Sequence, residues 1–208
     1  TVLPSSGEEG IEPNARAGLL GLEATVDAQL LFDNDELDAP AERVPDADAE
    51  MGYADANETI AEWTGALFSA GELSADDGVG EQVVDASELI ATFGSGGYAT
   101  LGYNSQQVRE KQSFFGKLLS SEPEPDSIES YSTIETATRR ALYRHRSLAG
   151  DLTEAVRSLL VTMGPPAWLN REAIADARGT VAEETGGSAV RGGDVPLEEG
   201  THLTVLVL

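Results

Sequence analysis

Val83-Val84-Asp85-Ala86-Ser87-Glu88 sets two carboxylates three residues apart, just after the glycine-bearing loop Asp77-Gly78-Val79-Gly80. The run is expected to open a helix, and side chains at i and i+3 of a starting helix share one face. Asp85 and Glu88 are therefore expected to project together beside the positive end of the helix dipole. Such a pair can polarise a water molecule, hold a cation, or cap the helix. Capping is the simplest reading, because an acidic residue followed three places later by Glu is an ordinary helix start. Which reading applies depends on what surrounds the run.

Upstream, Ala15 to Val26 reads as a helix, and Gln29-Leu30-Leu31-Phe32 as a strand buried on both faces of an α/β sheet. That strand leads into Asp33-Asn34-Asp35, at the carboxyl end where open α/β sheets bind ligands. The acidic stretch Asp38 to Glu50, with Pro40 and Pro45, reads as a surface helix or loop. A long amphipathic helix is predicted from about Ala49 to Ser69, with Tyr53, Ala56, Ile60, Trp63 and Leu67 on its apolar stripe, and Gly71 to Gly80 is expected to break it.

Downstream, a helix over Ser87 to Thr92 and the turn Gly94-Ser95-Gly96-Gly97 lead to a strand from Tyr98 to Tyr103. The polar segment Asn104 to Ser130 reads as an exposed excursion, and Thr133 to Arg146 as a helix. An apolar region ends in Leu159-Leu160-Val161-Thr162-Met163 before Gly164-Pro165-Pro166, and Asn170 is expected to cap a helix from Arg171 to Glu184. Strands at Ser188 to Arg191 and Thr201 to Leu208 close the chain. The last, dense in β-formers, is expected to lie centrally in a sheet.

Composition narrows the classes. The 208 residues carry 37 acidic and 13 basic side chains, a net charge of −24, and only Lys111 and Lys117 are lysines. A hydrophobic content of 40% is too high for a disordered acidic chain. The acid is spread along the whole length, which resembles the cytoplasmic proteins of salt-loving archaea, where high salt screens self-repulsion. That field disfavours nucleic acid and anionic membrane as direct partners. Without cysteine there are no disulfides or thiolate metal sites, and His145 and His202 fit no zinc spacing. Neither a signal peptide nor a run of membrane-spanning length is read, so a cytoplasmic location is expected. The opening Thr1-Val2-Leu3-Pro4 looks like the end of a strand entering a loop, so the sequence is expected to begin within a fold.

Three pieces then follow in order: Leu31-Phe32-Asp33-Asn34-Asp35, Tyr53-Ala54-Asp55-Ala56-Asn57, and the Asp85 to Glu88 run after a long helix. Gly164-Pro165-Pro166 and Arg191-Gly192-Gly193-Asp194 complete the series. This order resembles the tubulin/FtsZ superfamily of GTP-dependent filament proteins, in particular its archaeal CetZ branch, from about Pro4 to the last residue. The resemblance implies an α/β chain: the latter part of a Rossmann-like GTPase domain (1–48), a central core helix (49–72), and an acidic synergy loop with an α+β activation domain built on a mixed four-stranded sheet (73–208).

It also implies roles. Asn34 and Asn57 pair with the guanine edge, since an amide both donates and accepts, and Tyr53 stacks on the base. Without the resemblance these would be a strand-end turn, a solvated amide and a core ring. Glu8 faces the ribose when the register is anchored on Asn14-Ala15, whereas other anchors select Glu9 or Glu12. Pro13 stands where the archaeal register carries an arginine, which leaves Arg16 as a substitute phosphate contact. The family's phosphate-cradling glycine run is not in the sequence, so the chain corresponds to the part after it, and the isolated chain is expected to be inactive.

In this family the nucleotide of one subunit is hydrolysed when the next subunit docks its acidic loop. Asp85 and Glu88 would be that donated pair, acting on GTP with Mg2+ or K+: Glu88 on the attacking water, Asp85 holding the water or the ion. Self-association into protofilaments, a GTP/GDP ligand, and control of cell shape or division follow from the resemblance. The competing reading is a non-catalytic assembly or adaptor module in which the carboxylates only cap. A hydrolase with Ser87 as nucleophile fails for want of a neighbouring histidine in a triad-like setting.

Overall fold

The computed structural model describes residues 1–5, 10–38, 53–73, 84–94, 96–108, 125–187 and 189–208. The acidic stretch after Asp38 up to Glu50, residues 74–83 with the whole glycine-bearing loop, Glu8, Glu9 and residues 109–124 lie outside them.

The amino-terminal part is a small parallel α/β unit. Strand β1 (Val2–Leu3) pairs with β3 (Phe32–Asp33), and β2 (Gln29–Leu30) pairs with β4 (Tyr98–Ala99), both in parallel. The single strand expected at 29–32 is thus two short ones, because Leu31 sits between two partners: its own N–H donates to the Ala99 carbonyl at 3.0 Å. Helix α1 spans Glu12–Glu23, not Ala15–Val26. Pro13 falls in its first turn, where a missing N–H costs nothing. Helix α2 (Asn34–Asp38) follows β3 directly.

Helix α3 (Tyr53–Leu73) is the long helix, and it runs through Gly71 instead of stopping at Ser69. Leu67 and Ala70 are fully buried, and that burial outweighs the roughly 1 kcal/mol that an interior glycine costs a helix. Helix α4 (Ala86–Phe93) then precedes β4.

A four-stranded mixed sheet, ordered β5-β8-β6-β7, forms the carboxyl-terminal part. Its strands are β5 (Gly102–Gln107), β6 (Arg157–Gly164), β7 (Ala189–Pro196) and β8 (His202–Val207). Strand β8 is antiparallel to β5 and β6, and β6 is parallel to β7. The expected central position of the final apolar run is therefore correct. From Leu203 to Leu208 it reads as Leu and Val broken only by Thr204, because both of its faces are covered.

One face packs on α3 and α4: Leu159, Val161, Met163, Val195 and Leu206 share a core with Trp63, Leu67, Ala70 and Leu89. The other packs on helices α5 (Ser127–Tyr143) and α6 (Arg171–Glu184): Leu160, Leu203, Val205 and Val207 meet Ile134, Ala141, Ala177 and Val181. The alternation Leu159/Leu160/Val161 across one strand is the period-two signature of a sheet buried on two sides.

Two expectations change here. Strand 98–103 is split, since β4 forms a two-stranded sheet with β2 and β5 belongs to the four-stranded one, and Gly102 crosses α5 so closely that a Cβ would lie 2.2 Å from the Ala141 carbonyl oxygen. The segment Asn104 to Ser130 is not wholly an excursion. Asn104–Gln107 pair with β8, Asn104 is buried, and Ser127–Ser130 form the first turn of α5. Asp126 caps that turn by accepting the Glu129 N–H at 2.6 Å, a signal hidden in polar sequence. Helix α6 and its Asn170 cap stand where the sequence placed them.

Helix α3 is fixed to β5 by aromatic contact. Trp63 stacks on Tyr103 with centroids 5.5 Å apart and meets Phe32 at 6.4 Å. The Tyr103 hydroxyl donates to Glu62 Oε1 at 2.8 Å. Burial, then this carboxylate, push the phenol up to about 12.

Truncating Leu67 to Ala is expected to cost about 3 kcal/mol. The next residue, Phe68, is 58% exposed, and Phe68→Ala should cost less than about 1 kcal/mol. Urea unfolding in concentrated KCl reads both, and equal losses would contradict this placement of the core.

Candidate functional site

Asp85 is the N-cap of α4, with φ −116° and ψ 174°. Its Oδ1 accepts the Glu88 N–H at 3.0 Å and also the Ser87 hydroxyl. The four residues Asp85 to Glu88 thus close on themselves: a cap oxygen takes a backbone donor of the first helical turn, which also meets the Asp85 carbonyl at 3.1 Å. Asp85 is exposed. The Ser87 hydroxyl, and after it the Glu88 N–H, hold its carboxyl below the ordinary carboxylate value.

Glu88 behaves differently. Its Oε2 lies 2.9 Å from Nη1 of Arg191, whose backbone is in β7, 103 residues away. The Glu88 side chain is 33% exposed and that of Arg191 43%, so the pair sits at the surface. The two acids therefore share the first turn of α4 but have different partners: Asp85 is engaged with its own helix, and Glu88 with the sheet.

A second arginine reaches the same helix. Arg157, the first residue of β6, donates from Nη1 to the carbonyl of Ala91 near the end of α4. Sequence reading noted Arg191 only as part of a motif, and Arg157 not at all. The β6–β7 register, with Leu159 opposite Arg191 and Arg157 opposite Ala189, brings both side chains to α4. No local sequence signal encodes that register.

The other candidates lie toward the amino-terminal unit. Asn34 is the first residue of α2 and half-buried, while Asp33 Oδ1 accepts the Asp35 N–H at 3.0 Å. The strand-end turn anticipated for the amide is thus made by Asp33. Tyr53 is the first residue of α3, and Asn57 is exposed one turn later. Leu37 of α2 and Ala56 of α3 belong to one core cluster, which packs the two helices together. Glu12 opens α1 and is exposed, as is Arg16. A cavity of about 420 Å³ lies beside the end of α4, lined among others by Phe93, Leu142, Arg146, Leu148, Arg157 and Leu208, and its lining includes none of Glu12, Arg16, Asn34, Tyr53, Asn57, Asp85 and Glu88. Among the described residues, no group of three or more His, Asp or Glu could hold a metal, and no helix is long and apolar enough to cross a membrane.

Comparison with known proteins gives a consistent result. A family model described as "Tubulin-like CetZ, C-terminal domain" matches residues 46–208. Tubulin-like protein CetZ5 of Haloferax volcanii is 37% identical over 213 residues, covering 100% of this chain and 53% of the relative. The solved CetZ2 of Haloferax volcanii, a GTPγS-bound protofilament, superposes with a TM-score of 0.76 at 35% identity, over 99% of this chain and 53% of that one. CetZ1 from the same organism, a GDP-bound monomer, gives 0.75 at 31% identity, over 99% and 52%. The chain spans about half the length of the curated relatives it matches.

The cap generates a pH-dependent expectation. The folded-state value of Asp85 lies below the reference 3.8. The ionised cap therefore contributes stability above that pH and loses it as pH falls through the folded value. Asp85→Ala is expected to lower the Tm by about 2–4 °C at neutral pH, with the deficit narrowing in acid. A scanning fluorimetry series across pH checks this, and a deficit independent of pH would contradict the assignment.

Proposed function

This chain belongs to the tubulin-like CetZ family of the tubulin/FtsZ superfamily, and from that premise we propose that it supplies the water-activating half of a GTP-hydrolysis site to an adjoining filament subunit. The observation that carries this reading is the placement of Glu88: a carboxylate in the first turn of α4, at the surface, and held from the sheet.

The neighbour's GTP, with its Mg2+ or K+, supplies the γ-phosphoryl group. The chain's own residues do the rest. Glu88 accepts a hydrogen bond from the attacking water and orients or deprotonates it. Asp85 holds the turn in shape and adds a second acceptor beside the water. Splitting the chemistry between subunits makes hydrolysis report assembly.

At the other end of α3, Tyr53 stacks on guanine while Asn34 and Asn57 meet its polar edge. Glu8, Glu9 or Glu12 faces the ribose. A helix of 21 residues is about 30 Å long, so residues at its head and a turn beyond its tail suit two different nucleotides. The three parts 1–48, 49–72 and 73–208 then serve as base-side edge, connector and donated face. The intact protein is a cytoplasmic filament former that acts in cell shape or division, with neither nucleic acid nor inserted membrane as a partner.

A second reading, a non-catalytic assembly or adaptor module, is favoured by one observation: Oδ1 of Asp85 is engaged in capping, accepting both the Ser87 hydroxyl and the Glu88 N–H.

The test mixes the purified chain with GTP and CetZ2 of Haloferax volcanii, kept too dilute to assemble alone. The chain is expected to raise phosphate release. Glu88→Gln should co-sediment equally with the relative yet leave release at its basal rate. Equal stimulation by Glu88→Gln, or none by the unsubstituted chain, contradicts catalysis; binding without stimulation favours the adaptor reading.

A further inference from the structure

We propose that Arg191 is a positioning residue for Glu88: it fixes which carboxylate oxygen faces the water and offsets charge as the acid approaches a polyphosphate. This deepens the reading above and rests on it.

The pair is one-pronged. Arg191 Nη1 takes Oε2 of Glu88 at 2.9 Å, which leaves Oε1 as the oxygen that can accept from water. A glutamate has several rotatable bonds, so an untethered one samples many orientations. Anchoring one oxygen removes most of them, which is the condition for a pre-oriented general base.

The anchor is itself well fixed. Arg191 sits opposite Leu159 in the β6–β7 ladder. The following residue, Gly192, has φ +149°, and a Cβ there would lie 1.9 Å from the Leu160 carbonyl oxygen. That position therefore requires glycine. The Gly192 carbonyl also accepts from Arg178 Nη2 at 3.1 Å. Meanwhile Arg157 holds the far end of α4 through the Ala91 carbonyl. Two arginines from adjacent parallel strands thus grip one short helix near each end, and the Glu88 side chain, held by one of them, stays partly exposed.

Stability alone does not account for this arrangement, because a half-exposed ion pair contributes little to folding. The charge balance does. With 37 acidic residues against 13 basic ones, the chain repels a nucleotide polyphosphate. A carboxylate brought toward that polyphosphate meets like-charge repulsion, and a guanidinium in contact with it offsets the cost at the point of chemistry.

The experiment uses the same dilute CetZ2 and GTP mixture, titrated with the full 208-residue chain as wild type, Arg191→Gln, Arg191→Lys, Glu88→Gln and the Arg191→Gln/Glu88→Gln double variant. Arg191→Gln is expected to lower the maximal stimulated rate about tenfold or more. The half-saturating chain concentration and co-sedimentation should stay unchanged. Arg191→Lys should recover part of the rate, and the double variant should be no worse than Glu88→Gln. If Glu88→Gln abolishes stimulation while Arg191→Gln stimulates fully, the positioning role fails and the parent reading stands. Full stimulation by Glu88→Gln overturns both. Loss of co-sedimentation with Arg191→Gln, at unaltered Tm, makes Arg191 a docking residue and overturns the positioning role.

Discussion

Burial of helix α3 between the small parallel unit and the four-stranded sheet is the constraint on which the rest depends. Ala56, Trp63, Leu67 and Ala70 enter one hydrophobic cluster with Phe32 and Leu37 on one side and Leu159, Val161 and Leu206 on the other. That shared core, reinforced by the Phe32–Trp63–Tyr103 aromatic run, joins the two parts through α3. Val84 and Leu89 join the same cluster, so the acidic turn between them is anchored by a buried residue on each side.

The acidic turn itself illustrates a division of labour between two like side chains. Asp85 satisfies the helix start with Ser87 and the Glu88 N–H, and Glu88 is thereby spared from local capping. Its carboxylate is taken by Arg191, the product of long-range sheet register. In a chain with 13 basic residues, two of them, Arg157 and Arg191, are engaged by the same short helix.

Much of the fold was legible because the patterns were strong. The period-3.6 stripe of α3, the Asn170 cap of α6 and the apolar run of β8 each contain their own physical reason. Boundaries failed where the reason was tertiary. Gly71 is carried in a helix by buried neighbours, Gly102 divides a strand because α5 lies against it, and Asp126 starts α5 inside a polar stretch that reads as loop. At the acidic turn, the spacing was enough to place Asp85 and Glu88 together at the start of a helix. It could not reach Arg191 as a partner, since a contact across 103 residues is created only by the parallel pairing of β6 with β7. The same holds for Asp33, which makes the turn expected of Asn34.

The most direct measurement is an electron cryomicroscopy reconstruction of this chain bound at the end of a GTPγS-loaded CetZ2 protofilament. A split active centre predicts the first turn of α4 facing the bound nucleotide, with Glu88 Oε1 within one water of the terminal thiophosphate and Arg191 still paired. A chain docked with that turn pointing to solvent, or bound along the filament side, would contradict it.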